Sequence, residues 1–197
     1  MMKAGVLFSG GKDSALAALM LARDYSVVLN TCVFDPDRDI PAVRAAAAAL
    51  SLPFERRVLG RDLLEKAVDL LLSCGYPNDA IDMVHRAAVE TLAREYAVVG
   101  DGTRREDRVP RLERSEVQHL EMTTGCSYVR PLLGYGKSEI ERLADRLLVV
   151  RYGETGSIEN GDYEEEIRRA TRVRGIDPAP FFPPRHLQSL VVGRKDT

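Results

Sequence analysis

The feature that most constrains this chain is the string Ser9-Gly10-Gly11-Lys12-Asp13-Ser14, set between an apolar run and an Ala/Leu-rich segment. Residues 3–8 (KAGVLF) read as a short buried strand, and residues 13–23 (DSALAALMLAR) consist largely of strong helix formers. A strand, a double-glycine turn and a helix in direct succession gather backbone N–H groups at a helix N-terminus. Two glycines remove the Cβ atoms that would keep an anion away from those amides, and the helix end adds partial positive charge. Ser9 and Ser14 supply hydroxyls and Lys12 a formal charge. Asp13 would repel a bare phosphate, so it belongs beside a phosphate that carries Mg2+. Gly11 stands where the ATPase loop GxxxxGK needs its lysine, and the GxGxxG dinucleotide fingerprint is absent.

The pattern downstream alternates strand and helix. Residues 25–34 and 54–59 read as strands, with a helix over 41–50 between them for which Asp39 is the expected N-cap. Two helices follow, over 62–73 and 79–95, separated by Gly75-Tyr76-Pro77-Asn78. A strand over 96–99 ends at Gly100-Asp101-Gly102-Thr103, a fifth covers 128–133, and a charged amphipathic helix covers 137–147. This predicts an α/β fold over residues 1–150: a doubly wound, mainly parallel five-stranded sheet with helices on both faces. Residues 151–197, rich in glycine and proline, read as a small loop-rich C-terminal appendage with one helix near 163–173, a lid or docking segment.

At 45% hydrophobic and 29% charged residues, the 197-residue composition is that of an ordinary globular chain. A formal net charge of -2 gives no global attraction to nucleic acid or anionic membrane. The three cysteines, Cys32, Cys74 and Cys126, form no CxxC pair, which disfavours a disulfide framework or a zinc site and suits a reducing cytoplasm. No signal peptide is expected from Met1-Met2-Lys3 and the short apolar run behind it, and no stretch reaches the roughly 18 apolar residues of a membrane span.

The string SGGKDS resembles the signature of the PP-loop ATP pyrophosphatases. This superfamily includes NAD synthetase, GMP synthetase, asparagine synthetase and the tRNA thiolases. Two further segments support the resemblance. VVGDGTRREDR (98–108) looks like the second element of the family, and RPLLGYGKSEIERLA (130–144) is similar to a lysine-bearing run near the nucleotide phosphates. The resemblance implies an adenine-nucleotide α-hydrolase fold that splits ATP into AMP and pyrophosphate to adenylate an acceptor. It implies ATP contacts at Ser9, Gly10, Gly11, Lys12, Asp13, Ser14, Phe34, Gly100 and Thr103. Catalytic roles fall to Lys12, Asp13 and Lys137, and magnesium to Asp13, Asp101 and Asp107. The acceptor stays open between a small molecule, joined as in a C–N ligase, and tRNA. A non-catalytic ATP sensor of the same fold is the alternative. The partners in view are tRNA, a separate ammonia- or sulfur-donating protein, and a second copy of the chain.

Other residues divide between chemistry and plain structure. Arg104, Arg105, Arg108, Arg111 and Arg114 either close over a triphosphate, hold RNA backbone, or form a solvated face with the interleaved Glu106, Asp107, Glu113 and Glu116. Cys74 fills one half of the Cys-x-x-Cys pair of some tRNA thiolases, with Leu71 in the other position, so it is a thiol candidate or a structural cysteine. His85, His119 and His186 read as structural or surface residues, with contact to substrate as the alternative for His186 because it stands in a proline-rich stretch that suits a fixed loop.

Overall fold

The computed structural model describes residues 1–154, 157–182 and 187–195. Its centre is a five-stranded, fully parallel sheet formed by β1 (Lys3–Leu7), β2 (Ser26–Val33), β3 (Phe54–Val58), β4 (Val98–Gly100) and β5 (Ser127–Val129), in the order β3-β2-β1-β4-β5. The order reverses at β1, so the ends of β1 and β4 diverge and leave a crevice at the carboxyl edge of the sheet, where open α/β folds bind ligands.

The side-chain alternation of the strands explains the two covered faces. Ala4 and Val6 of β1, with Val27, Leu29 and Val33 of β2, face a core filled by α1 (Lys12–Leu21), α2 (Pro41–Ala49) and α6 (Lys137–Leu147). Leu7 and Cys32 point the other way, towards α4 (Asn78–Ala93) and α5 (Arg114–Thr124). A third cluster joins Phe34 to α3 (Arg61–Cys74), α4 and α7 (Tyr163–Val173). Gly5 is a packing glycine: a Cβ there would lie 2.6 Å from the Tyr96 ring.

Several elements depart from the sequence reading. The N-cap of α2 is Ile40, not Asp39; Asp39 instead accepts from the Ile40 amide through Oδ1, at 2.9 Å. The fifth strand stops at Val129 because Pro131 and Leu132 enter a turn. The helix α5 was not expected: only Leu120 of its eleven residues is buried, so it carries almost no apolar stripe, and a capping box between Glu113 and Glu116 sets its start. The last segment contains the expected α7, N-capped by Asp162, and also two unexpected strands, β6 (Leu148–Glu154) and β7 (Leu187–Arg194). These pair antiparallel, with a bulge between Val149 and Val150, and place Leu190 and Val191 of β7 in the core beside α1 and α2. No helix among the described residues is long and apolar enough to cross a membrane.

Candidate active site

The loop between β1 and α1 is held from three directions. Gly10 turns it in the left-handed region at φ +86, and Gly11, extended, caps α1. Within the loop, the Ser9 amide donates to Ser14 Oγ at 3.3 Å, and Ser14 Oγ donates to the Gly11 carbonyl at 3.1 Å. From the last segment, the Val191 amide donates to the Gly10 carbonyl at 2.8 Å, and Ser189 Oγ accepts from the Lys12 amide at 3.2 Å. The Gly161 amide donates to the Ser9 carbonyl at 2.8 Å. The chain beyond β4 also rests on the first turn of α1, since a Cβ on Gly102 would lie 2.6 Å from the Ser14 nitrogen. The loop therefore gains its shape from residues about 90, 150 and 180 positions away as well as from its own glycines.

Asp13 lies between two cations. Its Oδ1 is 3.1 Å from Lys12 Nζ, and its Oδ2 is 3.6 Å from Arg104 Nη1. Asp13 Oδ1 is buried yet accepts no hydrogen bond among the described residues. A buried carboxylate oxygen in that state suits a hard cation. No group of three or more His, Cys, Asp or Glu among the described residues could hold a metal by itself. A Mg2+ bound mainly by phosphate and water, through a single protein carboxylate, is compatible with that donor set.

The other two carboxylates expected near magnesium are engaged by protein donors. Asp107 accepts from the Arg104 amide at 2.8 Å and from Arg104 Nε at 3.0 Å. Asp101 is fully buried and accepts from the Thr103 amide at 2.9 Å and from the Tyr128 hydroxyl; its Oδ2 is 2.8 Å from His85 Nε2. Burial pushes the Asp101 carboxyl upward, but the hydrogen bond and charge of His85, with the Tyr128 and Thr103 donors, outweigh it and hold the group below the usual carboxylate range. Burial, and the charge of Asp101, push the Tyr128 hydroxyl well up.

A cavity of about 290 Å³ runs from Ser9, Asp13 and Ser14 to His85, Tyr163 and Cys32, with Asp101, Thr103 and Asp107 along it. In its lining the Tyr163 hydroxyl is 3.5 Å from His85 Nδ1, and the two rings meet edge-on at 6.2 Å. Burial pushes the Cys32 thiol up to about 12, which makes it an inert wall residue at neutral pH.

Of the residues singled out from the sequence, Ser9, Asp13, Ser14, Asp101, Thr103 and Asp107 line this cavity, and Gly10, Gly11 and Lys12 belong to the same loop without lining it. Others sit apart. The Phe34 side chain is buried among α3, α4 and α7, and its amide donates to the Glu166 carboxylate at 3.1 Å. Gly100 is packed tightly, with Leu21 Cδ1 2.5 Å from where its Cβ would be. Lys137 is 72% exposed at the start of α6 and lies 3.8 Å from Glu141. Cys74 ends α3, donating to Asp79 at 3.4 Å. His186 lies outside the described residues. Sequence reasoning missed Tyr128, Tyr163, Gly161 and Ser189 and assigned His85 to structure. The one available signal was the spacing of Ile81 and His85, four apart on α4 and so on one face towards the cavity.

A family model described as a family of unknown function (DUF7411) matches residues 2–193. The chain is 41% identical over 199 aligned positions to the uncharacterized protein MJ0690 of Methanocaldococcus jannaschii, covering 99% of this chain and 98% of that protein. The crystal structure of a predicted subunit of tRNA methyltransferase from Methanocaldococcus jannaschii superposes with a TM-score of 0.91 at 39% identity, over 100% of this chain and 99% of that one. The U34-tRNA thiolase NcsA of Methanococcus maripaludis is a weaker likeness, with a TM-score of 0.49 at 15% identity over 73% of this chain and 56% of that one, too weak to bear on activity. The chain belongs to the DUF7411 family, with a five-stranded parallel α/β fold and a double-glycine loop between β1 and α1.

Proposed function

We propose that this chain binds ATP at the β1–α1 loop and cleaves it between the α- and β-phosphates, transferring the adenylyl group to an acceptor. The observation that carries the reading is Asp13: a carboxylate at a helix N-terminus, flanked by Lys12 and Arg104, with one buried oxygen left without a hydrogen bond. Such a carboxylate beside phosphate-binding amides serves a metal–polyphosphate complex better than it serves a simple turn.

The roles follow from the geometry. The amides of the loop and the first turn of α1 face phosphate oxygens, and the hydroxyls of Ser9 and Ser14 add donors. Asp13 would hold Mg2+, which when bound neutralises charge on the phosphates. Lys12 stabilises the charge that grows on the departing group, a preorganised electrostatic contribution of the kind that dominates phosphoryl and adenylyl transfer. Asp101, tied to His85 and Tyr128, fixes the backbone from Gly100 to Thr103 against α1. Phe34, Gly100 and Lys137, which stand outside the cavity lining, take no part in this reading.

The test is product analysis of ATP with Mg2+ and purified protein, alone and with bulk tRNA or a metabolite extract. AMP and pyrophosphate are expected, and Asp13→Asn should reduce their release about 100-fold or more with the fold retained. ADP and phosphate would overturn the reading. A second reading, a tRNA-acting subunit of a larger assembly, draws on the 39% identical relative described as a predicted subunit of tRNA methyltransferase. It expects tRNA, rather than small metabolites, to stimulate AMP release. A filter-binding titration without tRNA retention at low salt would exclude it.

A further inference from the structure

Five arginines stand between β4 and β5, and the structure separates them. Arg105 pairs with its neighbour Glu106 at 3.3 Å, beside Gly136 at the start of α6. Arg111 pairs with Glu113 at 3.4 Å and is 63% exposed. Arg104 alone of the five is recorded against the phosphate loop. Its guanidinium is used in an ordered way. Nε and Nη2 both donate to Asp107 Oδ1, at 3.0 and 2.5 Å, and the Arg104 amide donates to Asp107 Oδ2 at 2.8 Å. Nη1 lies over Asp13 Oδ2 at 3.6 Å, too long for a strong hydrogen bond.

Two cations, Lys12 and Arg104, are balanced here by two carboxylates, Asp13 and Asp107. Next to the N-terminus of α1 both cations face Asp13, while Asp107 holds Arg104 from its other edge. An anion carrying more charge than Asp13, with a cation to neutralise Asp13, would draw both. The planar fork of Arg104 is already oriented by Asp107, so little side-chain freedom is lost when its remaining edge meets phosphate oxygens.

We propose that Arg104 is the residue that receives the leaving pyrophosphate, and that Asp107 is its positioning residue. The direction of cleavage rests on the function proposed above. The acceptor oxygen's lone pair forms the bond to the α-phosphorus. The bond from that phosphorus to the α,β-bridging oxygen breaks, its electron pair stays on that oxygen, and pyrophosphate leaves with the added negative charge opposite Nη1.

The experiment is titration calorimetry with magnesium pyrophosphate and, separately, with AMP, on the full chain and on Arg104→Ala, Arg104→Lys and Asp107→Asn. Arg104→Ala is expected to weaken pyrophosphate about tenfold or more and leave AMP within about twofold. Arg104→Lys should recover only part of that loss, because an ammonium lacks the fork. Asp107→Asn keeps the charge but not the orientation, so it should weaken pyrophosphate by a smaller factor and lower kcat more than it raises KM for ATP. Unchanged pyrophosphate affinity in Arg104→Ala overturns the proposal. So does an equal loss for AMP and pyrophosphate, or no pyrophosphate binding by the unmodified chain. The binding contrast is read without turnover, so ADP formation by the unmodified chain would remove the adenylylation reading and leave the Arg104 result to be judged separately.

Discussion

At the scale of single residues, the polar centre of the molecule is Asp101. It is buried, and three donors meet its carboxylate: Thr103, Tyr128 and His85. Asp101→Asn puts an NH2 group among donors and leaves at least one of them unpaired. The expected loss is about 1–3 kcal/mol, read from urea unfolding at neutral pH. The sign of the pH effect follows from the lowered pKa. A carboxylate held below its ordinary value of about 3.9 contributes its full stability above that value and loses it as pH falls through the lower, folded-state value. Asp101→Asn should therefore flatten the acid limb of the stability profile below about pH 4, and an unchanged acid limb would refute the assignment. Glu166 runs the other way. Burial raises its pKa despite the nearby Arg38, so its contribution worsens as pH rises through that raised value.

At the scale of elements, β7 ties the core to the β1–α1 loop. Leu190 is 3% exposed and packs in the core with α1 and α2, while its neighbours Ser189 and Val191 bond the loop backbone at Lys12 and Gly10. Leu190→Ala is expected to lower the unfolding free energy from urea titration by about 2–5 kcal/mol, and to weaken ATP binding as well, measured without denaturant at a temperature where the variant is folded. A stability loss with intact ATP affinity would show that the strand supports the core without shaping the loop. This element was not legible in the sequence. The run LVVRYGE is short and broken by Gly153, and the apolar face of β7 has meaning only against α2, over 130 positions earlier. The helix α5 was missed for the complementary reason, a polar surface with one buried residue. The helix α7 was legible to the residue, because Asp162 caps it and Ile167, Thr171 and the buried glutamates repeat at helical spacing.

At the scale of the whole molecule, the C-terminal strands and α7 share clusters with the sheet helices. We therefore expect residues 1–195 to unfold in one transition, with near-UV and far-UV circular dichroism superimposing in urea; two separated transitions would mark the last segment as an independent unit. The sequence by itself determined the parallel α/β layering, the β1–α1 loop and the residues Ser9 to Ser14. These depend on local periodicity, glycine conformation and helix-end electrostatics, which short stretches of chain encode. Only the tertiary structure separated the three candidate carboxylates from one another. Asp13, Asp101 and Asp107 are alike in the sequence, and what separates them is their partners: Arg104 for Asp107, His85 and Tyr128 for Asp101, and for Asp13 the cations of Lys12 and Arg104, with Oδ1 buried and accepting no hydrogen bond among the described residues. A carboxylate's chemistry is set by burial and by the donors around it, and for Asp101 two of those donors, His85 and Tyr128, come from elements far apart in the chain.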